Sequence, residues 1–159
     1  MKIAINNDYG GFCLSAKAMK KIAELKGHEV FFYKREKSNI DEEIYIKVDE
    51  EMFDKSYGFG FGMKCVKKDY GDKVRAFGNE VDCFEDRRWN NKRNDPDLIK
   101  AIEELRKKAS AYRSDIIVIE IPDDVEWIIQ DYDGIEWVAE KHRVWGNNFP
   151  THHSMDDIY

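Results

Sequence analysis

The sequence predicts a single-domain α/β fold, a mixed sheet with helices packed on it. Three observations carry this: a β-α-β opening, a second strongly capped helix at Asp95, and apolar runs of strand length after it. With 159 residues, 42% hydrophobic and 36% charged, the chain suffices for one core without disulfides or metals. We expect one domain over residues 1–145 and a polar C-terminal tail over 146–159.

Residues 2–6 read as a short buried strand that ends in a polar turn, Asn6-Asn7-Asp8-Tyr9-Gly10-Gly11-Phe12. Ser15 caps a helix near 15–26 whose apolar positions Leu14, Ala18, Ile22 and Leu25 recur every three to four residues, and Gly27 ends it. Glu29–Tyr33 is a second strand, and a β-α-β order normally lays its strands parallel. Ile44, Ile46 and Val48 alternate as a half-buried strand. The aromatic-glycine run Tyr57–Met63 and the following Lys64-Cys65-Val66 also read as strands.

Asp95 as cap, Pro96 at the first helical position and Asp97 near the positive dipole end start a helix over 96–109. Leu98, Ile102, Leu105 and Ala109 form its apolar stripe, with Glu103–Lys107 and Glu104–Lys108 as expected i,i+4 pairs. Asp115–Ile121 is nearly continuous and apolar, as a central strand is. Val125–Gln130 alternates as a further strand. Asp133 and Glu136 have capping-box spacing for a last short helix through Ala139. The sheet is thus expected to hold about five to seven strands.

Composition excludes several function classes. A net charge of −6 argues against binding long nucleic acid, whose phosphates are held mainly by Lys and Arg. Met1–Ile5 is far too short an apolar stretch for a signal peptide or a membrane span. Cys13, Cys65 and Cys83 are odd in number and form no C-x-x-C pair, which fits reduced thiols in a cytoplasmic protein.

Two stretches are candidate ligand sites. In the first turn, Asn6, Asn7 and Asp8 offer hydrogen bonds to hydroxyls, Tyr9 and Phe12 offer stacking faces, and Gly10-Gly11 lets backbone approach a ligand before a helix start. The ordinary alternative is a tight turn in which Asn and Asp bond their own backbone. The second stretch is the cationic cluster Arg87-Arg88-Trp89 with Lys92 and Arg93: Arg pairs with phosphate and Trp stacks on a base. A solvated loop before the Asp95 cap is its plainer reading. No metal or catalytic residues are assigned. His152 and His153 with Asp156 and Asp157 are chemically suited to a metal, but adjacent histidines in a tail are usually incidental.

Met1–Ile5, Asp8-Tyr9-Gly10-Gly11-Phe12 and Leu25-Lys26-Gly27-His28-Glu29-Val30 together resemble the opening of the ribose-5-phosphate isomerase B family. Asp8, Gly11 and Phe12 align with its motif, Tyr9 stands where the family has histidine, and Cys65 lacks the family's following glycine-rich phosphate loop. The resemblance implies a turn that touches a ribose-like or phosphorylated ligand. More broadly, Asn-Asp-x-Gly-Gly-Phe-x-Leu-Ser, Arg-x-Asp-Pro-x-Leu and Glu-Ile-Pro-Asp-Asp-Val-Glu-Trp with Asp-Tyr-Asp-Gly resemble small bacteriophage and mobile-element proteins. That resemblance implies action in a host cytoplasm by binding host molecules, nucleotide immune signals among them, as an anti-defence function.

The leading expectation is a noncatalytic protein that binds a small phosphorylated or nucleotide-like molecule, without a cofactor. A sugar-phosphate isomerase-like enzyme is the alternative, and a protein-interaction inhibitor using an aromatic surface is the third reading. Self-association into a homo-oligomer is compatible with each.

Overall fold

Ile3, Ala4 and Ile5 are fully or almost fully buried in strand β1 (Lys2–Asn6), which is why this stretch shows little alternation. The computed structural model describes residues 1–39, 42–57, 62–75, 77, 84, 89 and 92–143. Helix α1 (Ala16–Leu25) follows, with Ser15 Oγ accepting the Ala18 N–H at 3.1 Å. It closes in a Schellman turn: the His28 N–H reaches Ala23 O at 2.8 Å and the Gly27 N–H reaches Glu24 O at 3.0 Å. Gly27 has φ 74°, the left-handed conformation that this closure needs.

Four strands then form an antiparallel sheet in the order β4-β2-β3-β5, where β2 is Phe31–Asn39, β3 Glu42–Val48, β4 Met63–Val66 and β5 Lys73–Arg75. Between β3 and β4 lies a helix that the sequence reading missed, α2 (Glu50–Tyr57). Asp49 caps it by accepting the Met52 N–H at 2.8 Å, and Phe53 anchors it against Phe32, ring centroids 4.6 Å apart. Tyr57, read as the start of a strand, is thus the last residue of α2, while Gly58–Phe61 lie outside the described residues.

Helix α3 (Pro96–Leu105) starts as expected. Asp95 accepts the Asp97 and Leu98 N–H groups at 2.9 and 3.1 Å. It ends earlier than the apolar stripe suggested: Arg106 has φ 53° and Arg106–Ala109 is a 3-10 turn. The expected i,i+4 pairs are therefore replaced. Glu103 takes Lys2 at 2.6 Å and Glu104 takes Lys21 at 2.8 Å, tying α3 to β1 and α1.

The α/β class and the β1-α1-β2 order stand, but the pairing does not follow the parallel expectation. β1 pairs antiparallel with β6 (Ile116–Glu120), from Lys2 opposite Glu120 to Asn6 opposite Ile116. β2 belongs to the other sheet, so the single mixed sheet is replaced by separate antiparallel sheets among the described residues, and β6 is not central. The last expected helix is also replaced. Trp127–Tyr132 and Ile135–Glu140 are strands β7 and β8, joined at Asp133-Gly134. Both turn residues have positive φ, 52° and 90°, as a tight hairpin turn demands; this Asp-Gly signal outweighs the capping-box spacing.

The main core lies where α1 and α3 meet β1, β6 and the four-stranded sheet, with Leu14, Met19, Ile22, Phe32, Phe53 and Leu98 among its members. Tyr33, Tyr45 and Val66 form a smaller cluster with Phe77. No described helix is long and apolar enough to cross a membrane.

Candidate ligand site

The first turn is built as a clamp, and Asn6 is its centre. Its side chain is fully buried and its hydrogen-bonding capacity is turned to the protein itself. Nδ2 donates to Gly134 O at 2.7 Å and to Asp8 O; Oδ1 accepts the Asp115 N–H at 2.8 Å and the Ser114 hydroxyl at 3.2 Å. Asn6 thus joins three chain segments and has its side chain turned away from solvent. Asn7 donates its backbone N–H to Asp115 O at 2.8 Å, and Asp8 Oδ1 accepts the Tyr9 N–H at 2.7 Å.

The glycine pair serves the same packing. Gly10, at φ 117°, sits where a Cβ would run into the Arg113 carbonyl. A Cβ on Gly134 would come within 2.6 Å of Gly10 N, so the hairpin tip rests on the turn. Nor does the turn open directly onto a free helix end. The Ala16 N–H at the start of α1 is taken by Asp54 Oδ1 of α2 at 2.7 Å. Burial pushes the Asp54 carboxyl above its ordinary range, and that N–H only partly offsets it. Of the turn's side chains, Asn7, Asp8 and Tyr9 reach solvent, Tyr9 being 58% exposed.

The second stretch meets the first, but in the interior. Arg93 is 3% exposed and grips Glu136 with its two terminal guanidinium nitrogens, Nη1 and Nη2, at 2.8 and 2.9 Å. The same Glu136 Oε2 accepts the Asn6 N–H at 2.8 Å, and the guanidinium lies 3.5 Å from the Phe12 ring centroid. Arg93 is therefore a buried strut between β1, the hairpin and Phe12, not a solvated phosphate contact. Glu136, read as a helix cap, is its partner in β8. Arg87 and Arg88 lie outside the described residues, as do Cys83, His152, His153 and the tail from residue 144.

Trp89 is 5% exposed and packs edge-on against Phe84, ring centroids 6.1 Å apart. Both rings line a concave site of about 170 Å³ with Lys26, His28, Lys67, Lys92 and Asp95. Local structure explains its charge. The Schellman turn directs Lys26 and His28 out of the C-terminus of α1, Lys67 follows β4, and Lys92 and Asp95 bracket the entry to α3. Lys26 Nζ reaches Asp95 at 2.8 Å and Asp97 at 2.9 Å, and sits 5.6 Å from the Trp89 ring centroid. Burial works against both ionised groups. The carboxylates outweigh it to raise the Lys26 pKa, and Lys26 with the Leu98 and Asp97 N–H groups outweighs it to lower that of Asp95.

Lys67, Lys92 and the His28 imidazole, with Lys26 held by Asp95 and Asp97, thus face two aromatic rings in a chain of net charge −6. Of the described residues named from sequence as candidate sites, Trp89 and Lys92 line this hollow. The sequence signal for the rest was Lys26-Gly27-His28, a helix exit that delivers two nitrogen-bearing side chains to one place. No group of metal-ligating side chains occurs among the described residues. No protein-family model, curated protein or solved structure matches the chain.

Proposed function

We propose that the protein is a noncatalytic binder of a small phosphorylated or ribose-containing ligand, held in the hollow between the end of α1 and Trp89. The observation that carries the reading is a local gathering of cations in an acidic chain: Lys67 and Lys92, beside Lys26 in its pair with Asp95 and Asp97, around an aromatic wall. A concave positive site with low-dielectric walls concentrates anions against the field of the whole molecule. Ammonium groups supply charge-assisted hydrogen bonds to phosphate, and Trp89 and Phe84 supply an apolar face for a sugar or base. The volume of about 170 Å³ is below the roughly 300–1,000 Å³ that encloses drug-sized ligands, which favours one phosphate-bearing moiety.

Binding is better supported than isomerase chemistry. The Asp8 carboxylate is engaged with its own turn, Tyr9 points outward, and Cys65 is buried in β4. The test is calorimetric titration with inorganic phosphate, ribose 5-phosphate and adenosine 5′-monophosphate, on the wild type and on Lys92→Ala and Lys67→Ala. A charged hydrogen bond contributes about 1.5–3 kcal/mol, so each variant should weaken binding about tenfold or more. Unchanged affinity in both variants, or no binding of any of the three probes, would remove the hollow as the ligand site.

A further inference from the structure

The hollow beside Trp89 has one feature that a site built only for an anion would lack: a carboxylate, Asp95, in its wall. Asp95 Oδ1 accepts the Asp97 N–H at 2.9 Å, the Leu98 N–H at 3.1 Å and Lys26 Nζ at 3.1 Å. Oδ2 takes Lys26 Nζ at 2.8 Å and no other donor among the described residues. A carboxylate oxygen has two lone-pair sites, so Oδ2 keeps one. Burial opposes ionisation, yet Lys26 and the Leu98 and Asp97 N–H groups hold the Asp95 pKa below the ordinary carboxyl value. At neutral pH the group therefore accepts hydrogen bonds and offers none.

The aromatic wall narrows the choice of ligand. Trp89 is 5% exposed and Phe84 6%. Phe84 packs edge-on against Trp89, and Lys26 Nζ stands 5.6 Å from the Trp89 centroid, so no open ring face is left for a base to stack on. What remains is an apolar wall for a short carbon skeleton. The cation nearest in sequence is Lys92, whose carbonyl accepts the Asp95 N–H at 2.9 Å and whose ammonium has no carboxylate partner among the described residues.

Resting on the anion-binding reading of this hollow, we infer that its ligand is the phosphomonoester of a small polyol or sugar, with Asp95 Oδ2 accepting one of its hydroxyls. The phosphate lies toward Lys92 and His28, the hydroxyl-bearing carbons lie between Asp95 and Trp89, and a base, where the ligand has one, stays outside. A second phosphate in place of the hydroxyl would bring like charges together at Asp95. A ligand with no hydroxyl would cover a desolvated carboxylate and give it no donor, which is how a site built for a hydroxyl rejects the analogue that lacks it. Asp95 thus sets specificity, and Lys26, bridging on to Asp97 at 2.9 Å, holds it in position.

Calorimetric titration with glycerol 3-phosphate and propyl phosphate tests the inference, because the two share charge and carbon count and differ in the hydroxyls. The wild type should bind glycerol 3-phosphate about tenfold or more tighter than propyl phosphate, as a hydrogen bond to an ionised acceptor allows. Asp95→Ser and Asp95→Asn both keep a good helix cap. In each, the ratio should fall to about threefold or less, the range of a weak neutral contact. Propyl phosphate should bind these variants as well as before or better, since a negative charge has left the wall. A merely structural Asp95 would shift both probes together and leave the ratio unchanged. Adenosine 5′-monophosphate should bind no tighter than ribose 5-phosphate. Equal affinity for the two probes in the wild type, or a ratio that survives both substitutions in cooperatively melting variants, would overturn the inference and leave the anion-binding reading standing. So would adenosine 5′-monophosphate binding more than about tenfold tighter than ribose 5-phosphate, as a stacked base gives. Binding of no probe, inorganic phosphate included, would remove the anion-binding reading and this inference with it.

Discussion

Removing Glu136 should be among the most damaging single changes in this protein. In Glu136→Ala the Arg93 guanidinium keeps its place at 3% exposure but loses both short contacts, at 2.8 and 2.9 Å, and the Asn6 N–H loses its acceptor. Breaking a buried ion pair by deleting one partner costs about 3–5 kcal/mol, because the remaining charge stays desolvated. A domain of this size loses about 2–4 °C of melting temperature per kcal/mol, so the expected fall is about 6–20 °C. Total stability is about 5–15 kcal/mol, so a substantial part of it rests on this contact. Urea unfolding of Glu136→Ala, Arg93→Met and the double variant Arg93→Met/Glu136→Leu gives the assay. The double variant should recover most of the loss, since neither charge is then stranded. Single variants that cost less than about 1 kcal/mol, as exposed pairs do, would refute the reasoning.

Gly10→Ala should be clearly worse than Gly11→Ala in thermal unfolding. Both residues have positive φ, but only the Gly10 Cβ meets backbone, at Arg113, while nothing lies within 4 Å of one on Gly11; equal losses would contradict the packing described for the turn. Asp95→Asn keeps an N-cap of similar quality and removes the charge opposite Lys26, so it should cost about 1 kcal/mol at neutral pH. Because the folded Asp95 pKa is lowered, that contribution is present above the unfolded carboxyl pKa and lost as pH falls through the folded value. The gap between wild type and Asp95→Asn in denaturant midpoints should therefore close in acid below about pH 4, and a gap constant down to pH 2 would count against the pairing.

The parts of the fold legible in the sequence are those fixed by neighbouring residues. Ser15 and Gly27 bound α1, Asp95-Pro96 starts α3, and the strands at residues 2–6 and 116–120 announce themselves by their short apolar runs. Strand partners depend on distant residues, so the antiparallel match of β1 with β6 was hidden behind a β-α-β order that usually means parallel pairing. Helix α2 was missed because Phe53 is the one buried residue among its described side chains, which leaves little periodicity to detect. The hairpin offered two conflicting local signals, Asp133-Gly134 and the Asp133–Glu136 spacing, and the inward need of Glu136 for Arg93 lies 43 residues away. The same distance explains the sites. Arg93 looked like part of a solvated cluster because nothing near it in sequence shows that Glu136 and Phe12 enclose it.

The central claim is that small anions bind beside Trp89 and not at the Gly10-Gly11 turn. Amide and indole chemical shifts of isotopically labelled protein, followed as ribose 5-phosphate and adenosine 5′-monophosphate are added, test it most directly. The account predicts saturable shifts at His28, Lys67, Trp89 and Lys92, with Asn6 and Gly10 unmoved because their bonds are made within the protein. Shifts centred on Gly10 and Gly11, with Trp89 silent, would contradict it.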